Sequence, residues 1–352
     1  MRKVILITIL CLGSILLADG ISGVSYFGYS ISNINDEVNN QERGFELNRV
    51  YLTYEKAISD KASFTFQADM QNKNEIETTA YYMYIKNAKL DLNLFDRTTL
   101  IIGMQGMNMF NISEKTWGNR FLSKSAMDMN KWSASADLGL GISQSFGDIS
   151  ASLLVTNGEG YKSTSSDNNE KISFQAMYGE KRLDKKDGFN IGAVYSTLTY
   201  DSVEAVEDDF TTIHEDESVS SKDDGTAAIM GLFAGFSGFG ARVGLDYNMG
   251  TDLDVEDYGS SSTLMSFYAN YSLSFIDGLS LMGRYDMVDP GVEDEGITID
   301  IDESTQDDVS TMMMGLVYNC TEGIIVAPHI VQTTKGMEDP MMDFNLSFQL
   351  KF

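Results

Sequence analysis

The sequence predicts an all-β fold: a transmembrane antiparallel up-and-down β-barrel of about 16 strands, with short periplasmic turns and long extracellular loops. Three observations predict it. Apolar and polar residues alternate through about sixteen segments, the period of a strand whose two faces meet different media. The connections between the segments alternate short and long, as they do when tight turns gather at one end of a tube and large loops at the other. The one long apolar run, Val4–Leu17, is short for a spanning helix and follows Arg2 and Lys3, so a membrane crossing falls to strands.

The last stretch shows the alternation best. Met342, Phe344, Leu346, Phe348, Leu350 and Phe352 take turns with Asp343, Asn345, Ser347, Gln349 and Lys351. In a soluble sandwich the apolar wall would meet a second sheet. In a membrane barrel it meets lipid, and the polar wall lines the lumen.

From the N-terminus, residues 1–18 have the layout of a secretory signal with Ala18 as the cleavage residue, leaving 19–352 as the barrel. Leu10 fits poorly before a lipidated Cys11. Once the signal is removed, Cys320 is the sole cysteine and no intrachain disulfide can form. The strands expected are Ile21–Ile31, Phe45–Lys56, Ala62–Gln71, Thr79–Asn93 and Thr98–Gly106, with a change of phase near Asn87 that suggests a bulge. Next come Trp132–Phe146, Ile149–Asn157, Lys171–Gly179, Phe189–Tyr200, Thr226–Ser237 and Ala241–Met249. Met265–Phe275, Leu279–Val288, Val309–Asn319, Ile324–Thr333 and Met342–Phe352 complete the set. Short connections fall at 58–61, 94–97, 147–148, 237–240, 276–278 and 319–323. Long ones fall at 32–44, 109–131, 158–170, 201–225, 250–262 and 289–308, with shorter ones at 72–78 and 334–341.

The formal net charge is -27, which argues against nucleic acid as a partner. Most of it lies in 201–225, 250–262 and 289–308, which hold 10, 4 and 9 acidic residues and one base, Lys222. These are either solvated loops that keep the surface soluble or a negative mouth that gathers cations, including Ca²⁺ or Mg²⁺ shared with lipopolysaccharide. No EF-hand signature is present, and no cofactor is implied. On the strands, phase places Arg49, Glu55, Asp69, Asp137, Lys171, Arg242, Asp246, Arg284 and Asp286 toward the lumen. They serve either as wall ion pairs or as a transverse field across a pore.

Residues 109–131 differ from the other long connections. They carry Lys115, Arg120, Lys124 and Lys131 against Glu114 and Asp128, and the apolar anchors Trp117 and Phe121. A barrel this wide leaves an open channel. A loop with such anchors can fold inward as a constriction, with Lys115, Arg120 and Lys124 lining it, or pack at a subunit contact. His214 lies in an acidic loop and His329 on the polar side of a strand; no GxSxG, HExxH or P-loop pattern is present, so enzymatic activity is not expected.

FELNRVYLTYEKAISDKASFTFQADM (45–70), WGNRFLSKSAMDM (117–129), SADLGLGI (135–142) and LLVTNGEGY (153–161) resemble porins of the phosphate-selective O and P type. The patterns cover about the first half of the chain. The resemblance implies a sixteen-stranded outer-membrane porin, a homotrimer with an inward third loop, inserted by the barrel-assembly machinery through Phe352. Such a chain is a passive channel for small hydrophilic solutes. The lysine ladder of phosphate-selective members is absent, and acidic mouth and basic loop pull ion preference in opposite directions, with the mouth's larger count leaning toward cations. The alternatives are a secreted adhesin-like β protein, in which Phe64, Phe66, Leu138, Leu140, Phe344 and Phe348 lie between sheets, and a barrel hydrolase.

Overall fold

The computed structural model describes residues 20–34, 42–75, 78–163, 169–200, 225–253, 261–291 and 308–352, with backbone alone at 72–75, 78–80 and 200. The signal segment, His214 and nearly all of the acidic stretches 201–225, 250–262 and 289–308 lie outside these residues.

The strands are β1 (Ile21–Ile31), β2 (Arg43–Ser59), β3 (Ala62–Glu75), β4 (Thr78–Phe95), β5 (Thr98–Gly106), β6 (Ala136–Phe146), β7 (Ile149–Thr156) and β8 (Lys171–Gly179). They continue with β9 (Gly188–Tyr200), β10 (Gly225–Gly238), β11 (Ala241–Thr251), β12 (Ser261–Ser272), β13 (Leu279–Asp289), β14 (Val309–Thr321), β15 (Ile324–Lys335) and β16 (Met341–Lys351). Each pairs antiparallel with its neighbour in sequence, and β1 pairs with β16 to close the barrel. Closure leaves no unpaired strand edge. The sixteen strands are those the alternation predicts.

The apolar phase faces outward. Leu138 and Leu140 are 46% and 54% exposed, so no second sheet covers them, contrary to the sandwich alternative. Phe27 and Phe348 stack on this outer wall with ring centroids 4.9 Å apart. The polar phase faces inward, where Asp69, Asp137, Ser173, Asn190, Ser266 and Arg284 are buried. At the end of β16, the Phe352 ring lies over Gly23 of β1, where any Cβ would come within 2.2 Å of it.

The expected bulge sits one residue from Asn87. Gln67 pairs with Asn87 and Ala68 with Ile85, so Lys86 is the extra residue. The insertion turns both Lys86 and Asn87 to the lumen: Lys86 reaches the Tyr51 hydroxyl and Asn87 donates to Gln67.

Several boundaries differ from the sequence reading; β12 runs over Ser261–Ser272 where Met265–Phe275 was expected, and three further differences bear on the lumen or the connections. Residues 72–78 were expected as a loop, but β3 and β4 run on as a long hairpin to Glu75 and from Thr78, so the connection shrinks to 76–77. Trp132–Ser135 belong not to β6 but to the inward loop before it; their alternation is accidental, because Trp132 is buried in the loop's own apolar cluster. Between β8 and β9 lies a short-end turn, residues 180–187, longer than its neighbours. It curls inward far enough to bury Leu183.

Candidate functional site: the luminal loop and its basic rim

Residues 107–135, between β5 and β6, fold into the barrel. They contain two short helices, α1 (Asn111–Trp117) and α2 (Ala126–Met129). Helix α1 ends at Gly118, whose φ of 71° suits glycine and where a Cβ would lie 2.6 Å from the Arg242 guanidinium. Helix α2 starts at Ser125, whose hydroxyl accepts from the Asp128 amide.

The loop rests on the wall formed by β8–β15. Met109, Phe110, Ile112, Met127 and Trp132 pack against inward-facing Met177, Val194, Ile229, Phe233 and Leu264. Trp117 and Phe121 form a second cluster with Tyr268, Met282, Met313 and Val317. These wall residues are apolar groups on the otherwise polar phase, and they are there because the loop covers them. Polar clasps complete the attachment. Ser113 donates to Asp246 at 2.6 Å, and Tyr268 donates to the Ser113 carbonyl at 3.1 Å. Arg242 donates to the Trp117 carbonyl at 3.0 Å, Asn119 donates to Asn270, and Arg284 donates to the Lys124 carbonyl. Arg284 also pairs with Asp286 at 2.7 Å and lies 5.4 Å from the centre of the Trp117 ring.

Several of the charges expected toward the lumen lie beneath the loop or within the wall. Arg242, Asp246 and Arg284 do not stand free in water; the loop covers them and they hold it, while Asp286 supports Arg284 and accepts from Ser266. Asp69 is fully buried between Arg49 and the Tyr161 hydroxyl, at 3.3 and 2.7 Å. Asp137 accepts the backbone amides of Leu138, Gly158 and Gly160, fixing the start of the β7–β8 loop. For these six charges the sequence left wall pairs and a pore field both open, because strand phase tells which way a side chain points, not what lies above it.

The free edge of the loop faces β1–β4. Phe121 meets Tyr26 with centroids 6.4 Å apart. Arg120 is held by Glu114 and by Asp128 (3.0 Å) and points its Nε at the Tyr51 hydroxyl, 3.5 Å away. Burial works to lower the Arg120 pKa, but the Glu114, Tyr51 and Asp128 charges outweigh it and hold the guanidinium well above its usual value. Opposite stand Arg49, which donates to Tyr51 and Gln71, and Lys86, whose ammonium lies 4.9 Å from the centre of the Tyr51 ring. Tyr161 and Lys162 come down from the β7–β8 loop beside them, Lys162 donating to Gln71 at 3.0 Å. Sequence reasoning missed Lys86, Tyr161 and Lys162. The phase change near Asn87 was the available signal for Lys86; the other two sit in a connection with no periodicity.

Two chambers flank this rim. One, of about 1160 Å³, opens toward the short-turn end and is lined by Lys86, Lys89, Glu114 and Lys115 among others. Burial first, and then the nearby Arg182 guanidinium, lower the pKa of Lys115. The other, of about 380 Å³, lies on the long-loop side. Among the described residues, Arg49, Arg120, Lys124, Lys131 and Lys162 line it against Asp128 and Glu159. Ser135 lines both chambers. Lys115, Arg120, Lys124 and Arg49 therefore all border a chamber, although Lys115 is on the opposite side of the loop from the other three. His329 points inward, with Nδ1 3.2 Å from the Ala327 carbonyl.

Among solved structures, the fold is similar to those of outer-membrane proteins. OmpT of Vibrio cholerae superposes with a TM-score of 0.62 at 11% identity, over 94% of this chain and 97% of that one. The anion-selective porin from Comamonas acidovorans gives 0.61 at 9% identity, over 94% and 98%. The outer membrane channel DcaP of Acinetobacter baumannii gives 0.61 at 11%, over 94% and 96%. At these identities the likeness is one of fold. No family model matches the chain, and no curated protein does.

Proposed function

We propose that the chain is an outer-membrane porin, a passive water-filled channel for small hydrophilic solutes. The observation that carries this is the loop fastened across a closed barrel, leaving chambers on both sides of a rim of charged groups. The outward apolar wall supports a lipid setting, because such side chains gain nothing from water. Passage of this kind needs no catalytic group.

Selectivity follows from charge where the passage is narrowest, because there an ion loses most of its water and feels the wall least screened. Among the described residues, five bases against two acids line the long-loop chamber. The channel accordingly prefers anions, reversing the lean toward cations drawn from the acidic mouth. That preference agrees with the resemblance to phosphate-selective porins. Homotrimer formation, contact with lipopolysaccharide and use of Phe352 in assembly belong to the same proposal. Planar-bilayer recordings in a salt gradient test it. Discrete conductance steps with an anion-selective reversal potential are expected; a folded barrel that inserts without conducting removes the channel reading.

A further inference from the structure

A third chamber, of about 400 Å³, lies at the long-loop end next to the 380 Å³ chamber, with which it shares Lys131, Ser133, Ala134 and Gly158. Its walls are Trp132 and Lys131 from the loop and Lys171, Ile229, Leu253 and Val288 from the barrel. Three features separate it from a simple packing gap. Its volume is in the range of small-molecule sites. Among the described residues it is lined by two bases and no carboxylate, in a chain whose net charge is -27. And Lys171 is only 6% exposed, and among the described residues its ammonium makes no hydrogen bond or ion pair, feeling only the charge of Asp137. The nearest candidate, Asp137, has its carboxylate oxygens engaged by three backbone amides. A buried ammonium without a partner is costly, and the cost falls when an anion arrives.

The remaining walls define what the anion carries. Trp132 and Ile229 belong to the buried apolar cluster, and Leu253 and Val288 pack against it. A fully hydrated inorganic ion would leave these surfaces facing water. An anion with a compact apolar body would cover them while its charge meets Lys171. We propose that this chamber is a binding site for small amphiphilic monoanions, such as aromatic or branched carboxylates, with Lys171 holding the carboxylate and Trp132 packing on the apolar body. The site adjoins the long-loop chamber, and a binding measurement reads it whether or not the barrel conducts.

The chain has two tryptophans, and Trp117 is buried elsewhere, against Tyr268. Tryptophan fluorescence of the folded barrel in detergent, titrated with benzoate, benzyl alcohol and acetate, therefore reads the site. Benzoate is expected to give a saturable change that Trp132→Phe abolishes, with acetate and benzyl alcohol at least about tenfold weaker. Lys171→Met, checked for heat-modifiable migration, is expected to weaken benzoate by about tenfold or more when measured by calorimetry. The proposal is overturned by the absence of a saturable benzoate response, by equal affinity for benzyl alcohol, by acetate binding as tightly as benzoate, or by a folded Lys171→Met that binds unchanged. If that variant does not fold, the benzoate and benzyl alcohol comparison on the wild-type protein decides. Conductance of the same preparation is recorded separately, so loss of the site and loss of the channel give different results.

Discussion

The two luminal walls carry the same kinds of residue and use them differently. On β11–β13, Arg242, Asp246, Asn270 and Arg284 lie beneath the inward loop, and their hydrogen-bonding groups close on its backbone and side chains. On β2–β4, Arg49, Tyr51 and Lys86 face the loop's free edge, which reaches them through Arg120 and the Tyr51 hydroxyl. Strand phase is identical for both sets. What separates them is cover: the first wall and β10 beside it also present Ile229, Phe233, Leu264 and Met282 inward, an apolar bed that makes docking favourable, and the second presents mainly polar groups. An inward charge lines a pore only where nothing apolar beside it invites the chain to lie down.

The largest effect should come from undoing the covered wall. Arg284→Ala leaves the part-buried Asp286 with Ser266 alone and the Lys124 carbonyl without its donor, a loss of ~3 kcal/mol by analogy with broken buried pairs. The loop should loosen, so single-channel conductance rises and becomes noisy, and the temperature at which the folded gel band disappears falls. Unchanged conductance would mean that the clasp does not set the width of the passage.

The open wall should respond without loss of folding. Arg49→Gln with Lys86→Met removes two bases from the rim, and the anion-to-cation permeability ratio should drop by roughly severalfold, since field strength at the constriction governs ion preference. Reversal potentials in a potassium chloride gradient measure it. No movement would place the selecting charges elsewhere.

A smaller effect tests pH. Burial first, and then the positive charges of Lys124 and Arg49, lower the pKa of Lys162 to about 8. Below that value it is charged and adds to the rim; above it the charge is lost. Anion preference should therefore fall between pH 7 and pH 9, and Lys162→Met should flatten that step. A step that survives the substitution assigns it to another group.

The smallest effect lies far from either wall. In the β10–β11 turn, Phe239 and Gly240 both have positive φ, at 55° and 78°. A two-residue turn of this hand favours Asn-Gly. Phe239→Asn should raise barrel stability by about 1 kcal/mol, seen in urea unfolding, and leave conductance alone.

The sequence made the barrel legible for a physical reason. Each strand separates two environments, so a period of two runs through all sixteen, and the β4 bulge shows as a break in it. The inward course of 109–131 was readable from Trp117 and Phe121, which both end up buried. Which charges it would cover was not, because that depends on where the loop rests. A signal was present in retrospect: Val194, Ile229, Phe233 and Leu264 occupy the polar phase of their strands, and an apolar group there needs cover. The long β3–β4 hairpin was hidden because NKNEIE (72–77) has the composition of a loop. The inward turn 180–187 was hidden because its one buried anchor, Leu183, stands among Lys181, Arg182, Lys185 and Lys186.

The seam between β1 and β16 has a consequence for how the molecule comes into being. Val24 pairs with Lys351, and Phe352 lies on Gly23, so the first strand waits for the final residues before the ring of hydrogen bonds can shut. Every other pairing joins neighbours along the chain; this one spans nearly its whole length and is the slowest kind to form. Until it forms, two bare strand edges remain open to wrong partners. A chain built this way has to be kept apart from its fellows from the emergence of Ile21 until Phe352 arrives.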